Sequence, residues 1–381
     1  MIKIEKNENC CGCSACVNAC TKNAIKFVED DEGFKYPSIN KDKCINCDIC
    51  TKVCPIQRES HSVQYNYPRA YAGISLNSEI RKESSSGGIF TILAEEILKS
   101  GGVVFGAKFD SEFNVVHNYV ETEKELKHLR GSKYVQSEIG NSYVETKKFL
   151  EDGRMVLFTG TPCQISGLKS FLKKDFDNLY TQNIICFGVP SPKVWRKYLE
   201  YRKQKDNNMP QNITFRDKRN SWKLFSVMFD YGNRQYEQSK AKDLYMKFFL
   251  EGLSLRTSCY NCKFKLKNKV ADITLGDFWG IENIMPELDD DKGVSAIIVN
   301  NEKGKKLLET VSARMNIKEV GLNNIIASNS MLEKSTQYNK SRENFFSDLD
   351  KMDFEKLAKK YLKKPSFMRK VASKIKRKLL K

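Results

Sequence analysis

Nine cysteines crowd the first 54 residues, and eight of them fall into two matched runs. Cys10, Cys13, Cys16 and Cys20 form one C-x2-C-x2-C-x3-C run; Cys44, Cys47, Cys50 and Cys54 form the other, which ends in Pro55. Thiolates at this spacing cap the iron corners of a 4Fe–4S cubane. Three sit on one tight loop, and the fourth reaches the cubane of the other run. The expected ligand sets are Cys10, Cys13, Cys16 and Cys54 for one cluster, and Cys20, Cys44, Cys47 and Cys50 for the other. Zinc takes four ligands, usually as two separated pairs, and a disulfide framework suits a short secreted chain. Neither pattern matches two such runs. Thr21 stands where the first run would carry proline, a position that shapes the chain but holds no iron. Cys11 falls outside the pattern and reads as a small packed residue.

The elements that must position these thiols belong to a larger body. The chain has 381 residues, 40% of them hydrophobic, which suits two or three domains. Its thirteen cysteines point to a reducing cytoplasm and to metal binding. No apolar run approaches the length of a membrane span, and Met1 to Glu5 lack the apolar region of a signal peptide. The expected location is therefore cytoplasmic.

Between the cysteine runs, 24–28 and 34–39 read as two short strands about a polar turn. Residues 59–68 read as a linker, and a strand is expected at 70–74. Ser85, Ser86, Gly87 and Gly88 then open a helix whose apolar residues recur at helical spacing through Leu98. Ser86 is placed to cap it and Gly101 to end it. Backbone N–H groups at such a loop suit a phosphate, although the loop is neither GxGxxG nor a Walker sequence. Strands at 103–107, 155–158 and 179–185 alternate with helices at 143–150, 165–172 and 192–201. That alternation implies parallel pairing through right-handed crossovers. Cys163 and Cys186 then fall just past strand carboxyl ends, the edge where open α/β sheets bind ligands. Further strands are expected at 213–216, 223–231, 271–275 and 294–299, with helices at 240–250 and 303–311.

Net charge is +18, yet residues 356–381 carry twelve Lys and Arg and no Asp or Glu, leaving +6 on the rest. Charge confined to one end argues against a nucleic-acid face over the whole protein, and no aromatic stacking platform accompanies it. Phe367, Val371, Ile375 and Leu379 recur every four residues. They make one stripe of a basic amphipathic helix, suited to peripheral contact with anionic lipid. A solvated tail is the competing reading.

Cys163, Cys186, Cys259 and Cys262 are the cysteines left over. Two are spaced as C-x2-C, and all fall at expected loop edges. They read as a third thiolate site for a 4Fe–4S cluster or a zinc, against two buried thiols beside a coincidental pair.

Five segments carry a resemblance: Ser85 to Gly88; Gly-Ser-Lys-Tyr-Val-Gln-Ser at 131–137; Thr-Gly-Thr-Pro-Cys-Gln at 159–164; Cys-Tyr-Asn-Cys at 259–262; and Asp-Ile-Thr-Leu-Gly-Asp-Phe-Trp-Gly at 272–280. In this order they resemble the coenzyme F420 hydrogenase/dehydrogenase beta-subunit family, over about residues 1–330. The resemblance implies an α+β or α/β chain. A bacterial ferredoxin-like two-cluster module would occupy 1–58, a mixed α/β FAD-binding domain 69–335, and a basic tail 340–381. It implies FAD held by Ser85, Ser86, Gly87, Gly88, Lys133, Tyr134, Gln136, Thr159, Gly160, Thr161 and Pro162. It also favours a cluster over zinc on Cys163, Cys186, Cys259 and Cys262. Lys133, Tyr134 and Asp277 become candidate catalytic residues, the first for charge on the reduced flavin, the others for a proton. A surface lysine, a packed ring and a turn carboxylate are the plainer readings of the three.

The function so implied is an iron–sulfur flavoprotein oxidoreductase. Single electrons would pass through the clusters, from ferredoxin or another redox protein, to or from FAD. The flavin would exchange pairs with a small-molecule substrate or a deazaflavin. Sequences of this type also occur among genes for surface-polysaccharide synthesis, which would suit a tail touching a membrane. The alternative is a non-catalytic electron-transfer subunit docked on a partner enzyme.

Overall fold

The computed structural model describes residues 2–4, 6–57, 68–266 and 271–362. The basic helix expected at 367–379 and all but the last residue of the expected linker lie outside them.

The first unit is one turn used twice. Gly12 and Ser14 (φ 69° and 65°) occupy the same places in their run as Asn46 and Asp48 (φ 53° and 61°) in the other. Each left-handed pair folds the chain back into one helical turn, α1 (Ala15–Asn18) and α2 (Ile49–Lys52). The antiparallel strands β1 (Ile25–Glu29) and β2 (Lys35–Ile39) join the copies.

The body is built on a mixed sheet of eight strands. The chain enters by β3 (Arg69–Ser75), β4 (Val103–Phe109), β5 (Val115–Val120), β6 (Val156–Gly160) and β7 (Leu179–Ile184). It leaves to make a separate antiparallel sheet of β8 (Asn212–Asp217), β9 (Ser226–Asp230) and β10 (Gln235–Ser239). It returns by β11 (Ile273–Asp277), β12 (Ser295–Val299) and β13 (Met315–Val320), giving the order β13-β3-β12-β11-β7-β6-β4-β5. Parallel pairing, as expected, joins β4 to β6 and β6 to β7, and it also joins β7 to β11. The outer pairs are antiparallel, and β5, β10 and β13 have no counterpart among the strands expected from sequence.

Helices α3 (Ser78–Glu83), α4 (Ile89–Lys99), α5 (Ser142–Glu151) and α6 (Pro162–Leu172) pack on this sheet, α7 (Pro192–Asp206) and α8 (Leu244–Leu250) pack with β8 and β9, and α9 (Glu302–Thr310) and α10 (Leu322–Ser328) return to the large sheet. The strand period of two sorts the core. Val104 and Leu157 face Ile92, Leu93 and Ile97 of α4, while their neighbours Phe105 and Phe158 face Ile165 and Leu168 of α6. Each such side chain contributes roughly 1.5–3 kcal/mol on burial. Two more helices, α11 (Arg342–Leu349) and α12 (Phe354–Tyr361), follow. Their Phe345, Leu349, Phe354 and Leu357 enter the same core as Trp195, Tyr198 and Phe248. The packed body thus runs on to Leu362, past the boundary expected at 335. The high charge count of this segment conceals its apolar stripe.

The cluster unit is pinned to the body at its hairpin turn. Buried Arg342 forks onto Glu32, Arg196 pairs with Glu29, and Lys193 Nζ donates to the Asp31 carbonyl at 2.7 Å. Among the described residues no helix is long and apolar enough to cross a membrane.

Candidate functional site

Cys10, Cys13, Cys16 and Cys54 are all buried and line one cavity of about 300 Å³, partly open to solvent, together with Ile2, Ile4, Phe27 and Ile56. Burial and the neighbouring Cys10 and Cys54 sulfurs push the Cys16 thiol up to about 12. A metal is what would ionise such a thiol. The other expected set lies outward: Cys20, Cys44 and Cys50 are half-buried and Cys47 is exposed. Backbone N–H groups of Ala24 and Ile2 donate to the Cys20 and Cys50 sulfurs, both at 3.3 Å.

The four later cysteines converge. Cys163 stands in the first turn of α6, just past β6, where Thr161 and Gln164 form a capping box. Cys186 follows β7 by two residues, and Cys259 and Cys262 lie on and just after the turn Thr257–Asn261. All four line one cavity of about 770 Å³, partly open to solvent. Val189 N–H donates to Cys259 Sγ at 3.5 Å and Phe264 N–H to Cys262 Sγ at 3.4 Å, while Thr161 Oγ1 lies 3.1 Å from Cys163 Sγ. Soft sulfurs with N–H donors suit an iron–sulfur cluster. Among the described residues no three His, Cys, Asp or Glu side chains close on a single-ion site. Cys11 is packed, as expected, but in a telling place. It lines both cavities, with the Cys13 thiol on one side and the Cys163 thiol on the other.

A second constellation forms around Arg216, at the end of β8. Its guanidinium donates to both Asp277 oxygens at 2.7 and 3.1 Å, to the Ser85 carbonyl at 3.1 Å and to Tyr134 OH at 3.3 Å. Trp222 Nε1 also donates to Asp277, at 3.0 Å, and the Trp222 ring stacks on Trp279 at 4.8 Å. Lys218 Nζ donates to the Ser86 carbonyl at 2.7 Å, and Lys240 Nζ lies 4.4 Å above the Phe225 ring. Burial, reinforced by nearby guanidinium groups, pushes Lys218 down to about 7 and Lys240 to about 8. Arg216, Lys218 and Lys240 thus gather about Asp277, with Arg81 and Asp290 beyond Lys218, and the buried Arg216 Nε has no partner among the described residues. This is a setting for an anion. Ser85, Ser86, Tyr134 and Asp277 therefore meet around Arg216 and Lys218. The residue that gathers them, Arg216, marks only the end of a strand in the sequence. Its signal is a charge on a strand whose neighbouring residues are buried on both sides of it.

The remaining candidates are placed differently. The hydroxyl of Ser86 donates to the Val294 carbonyl at 2.8 Å, so it does not cap α4; Gly88, at φ 91°, holds the cap position. Gly87 N–H donates to Ser295 Oγ at 3.0 Å. Lys133 Nζ is turned to the His128 and Arg130 carbonyls, 2.9 Å each, and burial pushes it down to about 7. It does not join Tyr134 and Asp277. Gln136, Thr161 and Pro162 stand by the cysteines: Gln136 Nε2 reaches the Cys11 carbonyl at 3.3 Å, and Pro162 lines the larger cavity. Thr159 and Gly160 end β6 between the two groups, with Thr159 Oγ1 on the Phe105 carbonyl at 2.9 Å. The segment from Lys133 to Gln136 spans the two groups.

His117 braces this segment. Its Nε2 lies 2.9 Å from the Thr159 carbonyl and its Nδ1 2.9 Å from Ser137 Oγ. A carbonyl only accepts, so Nε2 carries a proton, and burial keeps the ring neutral near pH 7. Burial pushes its pKa down to about 4. The unfolded chain takes this proton near 6.5, so between about pH 6.5 and 4 the unfolded state binds more protons. Stability is therefore lost as pH falls through that window, by up to about 3 kcal/mol from this ring. His117→Gln is expected to flatten the acid limb of the thermal midpoint against pH. A gap between variant and parent that does not change with pH would contradict this role.

Comparisons with known proteins follow the same layout. The family described as "Coenzyme F420 hydrogenase/dehydrogenase, beta subunit" matches in two parts, its N-terminal part over residues 70–142 and its C-terminal part over 153–324. A 4Fe-4S dicluster domain matches residues 9–57. An uncharacterised polyferredoxin-like protein of Methanocaldococcus jannaschii is 29% identical over 97 residues, 22% of this chain and 58% of that protein. An uncharacterised ferredoxin of the same organism is 35% identical over 52 residues, 14% of this chain and 66% of that one. The chain thus spans under two thirds of either relative. Among solved structures, a chain of the F420-reducing nickel–iron hydrogenase complex of Methanosarcina barkeri is similar at 16% identity. The alignment covers 73% of this chain and 92% of that one, at a TM-score of 0.49.

Proposed function

We propose that this chain, which belongs to the coenzyme F420 hydrogenase/dehydrogenase beta-subunit family, is an iron–sulfur flavoprotein that relays single electrons through 4Fe–4S clusters to or from FAD. Cys20, Cys44, Cys47 and Cys50 hold the outer cluster, and Cys10, Cys13, Cys16 and Cys54 the inner one. Cys163, Cys186, Cys259 and Cys262 hold the third. One observation carries the proposal: four thiols drawn from three separate stretches of chain line a cavity that shares Cys11 with the inner-cluster pocket.

FAD supplies what thiol-bound iron cannot, since it trades single electrons for pairs. The Ser85 to Gly88 loop, Tyr134, Gln136 and the Thr159 to Pro162 edge would hold it. Arg216, Lys218 and Lys240 bind the anionic part of cofactor or substrate. Asp277 is occupied by Arg216 and Trp222 and orients them; it is not free to exchange a proton. Tyr134 OH, 3.3 Å from the Arg216 guanidinium, is the group placed to move one. The substrate is a small anionic molecule, a deazaflavin of the F420 type among them, and the electron source is ferredoxin or another redox protein.

Anaerobic purification, with iron, acid-labile sulfide, zinc and released flavin measured per chain, tests the proposal. About twelve iron and one FAD are expected, at four iron per cluster. About eight iron without flavin would leave a carrier subunit docked on a partner enzyme. Eight iron with one zinc would remove the third cluster.

A further inference from the structure

Arg256 is 1% exposed, and among the described residues no carboxylate pairs with it. A buried unpaired cation costs several kcal/mol, so a negative partner is expected nearby. The guanidinium bonds instead to the cluster unit and to the segment beside it. Its Nε donates to the Cys10 carbonyl at 2.8 Å, and one terminal nitrogen donates to the Lys35 carbonyl at 3.0 Å and to Cys10 Sγ at 3.5 Å. The other donates to Gln136 Oε1 at 3.1 Å. Cys10 Sγ is the sulfur it touches, and Cys259 lies one turn along the chain, its N–H donating to the Arg256 carbonyl at 2.9 Å. Cys10 and Cys259 belong to different cavities. Gly12 makes the approach feasible: at φ 69°, a Cβ there would come within 2.9 Å of the guanidinium.

As neutral thiols these cysteines do nothing for a cation. As iron-bound thiolates on either side of it, they neutralise it. We propose that Arg256 is the shared counter-ion of two clusters, the inner one at Cys10 and the third one at Cys259, and holds both potentials above that of the outer cluster. The proposal rests on the iron–sulfur reading given above. The step it governs is the passage of one electron from a reduced cluster to an oxidised one, with no bond or proton changing place. A reduced cluster is the more negative state, so a buried cation favours it; hydrogen bonds to sulfur and net charge are established levers on cluster potential. Burial alone would disfavour the inner cluster's reduction relative to the exposed outer one, and the cation offsets that.

The test is an EPR-monitored redox titration of the full, cluster-loaded chain, with iron and sulfide assayed in each preparation. In Arg256→Gln, two of three clusters are expected to lose at least tenfold in reduced-to-oxidised ratio at fixed potential, 59 mV for a one-electron couple. The outer cluster should not move. Arg256→Lys keeps the charge but loses the fork and is expected to fall between. If the glutamine variant loses iron, the lysine variant alone decides, through a smaller downward shift of the same two clusters. Iron-replete variants whose potentials match the parent, or whose three clusters shift together, would overturn the proposal. A parent chain without iron would defeat the iron–sulfur reading itself.

Discussion

Gly167→Ala is expected to cost the protein about four of its iron atoms, those of the inner cluster, at four iron per cubane. Gly167 lies in α6, where alanine is the better helix former by about 1 kcal/mol. By propensity alone the substitution would stabilise. Position reverses the sign. A Cβ on residue 167 would lie 2.9 Å from Cys13 Cβ, 3.0 Å from Cys13 Sγ and 2.9 Å from Tyr143 OH. Tyr143 cannot retreat: it is fully buried, and its hydroxyl donates to the Gln164 carbonyl at 2.7 Å. Cys13 sits between two left-handed residues, Gly12 and Ser14, in a loop with little freedom to shift. Overpacking of this kind costs roughly 1–3 kcal/mol, more than the helix gains. The displaced atom is a cluster ligand in our reading, so the loss appears as iron. Anaerobic iron analysis and the EPR signals of the remaining clusters provide the measurement. A Gly167→Ala protein with parental iron content and a raised thermal midpoint would show that α6 does not bear on the inner cluster.

That contact also marks how far the sequence can be read. The 4Fe-4S dicluster domain is legible because a cubane dictates cysteine spacing along a short local stretch. The parallel strands around β6 and β7 are legible because each is followed at once by a helix of matching period. Arg216, Arg256 and Gly167 are not, because each does its work against residues distant in the chain. Arg216 meets Asp277, Arg256 meets Cys10, and Gly167 meets Cys13. Local pattern gives no hint of such pairings. Cys11 shows the limit most plainly. Adjacent to a ligand and outside the repeat, it looks spare in the sequence, and only the fold brings Cys163 to its other side. The edge strands β5 and β13 escape for a related reason. They are half-polar, and their partners, β4 and β3, are what make them strands.

Arg216→Met is expected to destabilise the chain by about 3–5 kcal/mol, the cost of stranding one member of a buried ion pair. Arg216 is 4% and Asp277 16% exposed at the side chain, so solvent cannot take over the charge that remains. Removing both should be far milder. In Arg216→Met with Asp277→Leu, apolar groups replace the pair, and such replacements are often neutral or better. Trp222 Nε1 loses its acceptor in the double variant, which leaves a cost of about 1–3 kcal/mol. The expected order of thermal midpoints is parent, then double variant, then Arg216→Met, read under identical anaerobic conditions. Bound cofactors break two-state behaviour, so the order and not an absolute free energy is the result to compare. Flavin content then separates structure from binding. If Arg216 serves only to neutralise Asp277, the double variant regains flavin along with stability. If Arg216, Lys218 and Lys240 form an anion site, the double variant regains stability and stays flavin-poor. A double variant with parental flavin would remove this constellation from the active site, and a double variant less stable than Arg216→Met would mean the pair is worth more than its desolvation.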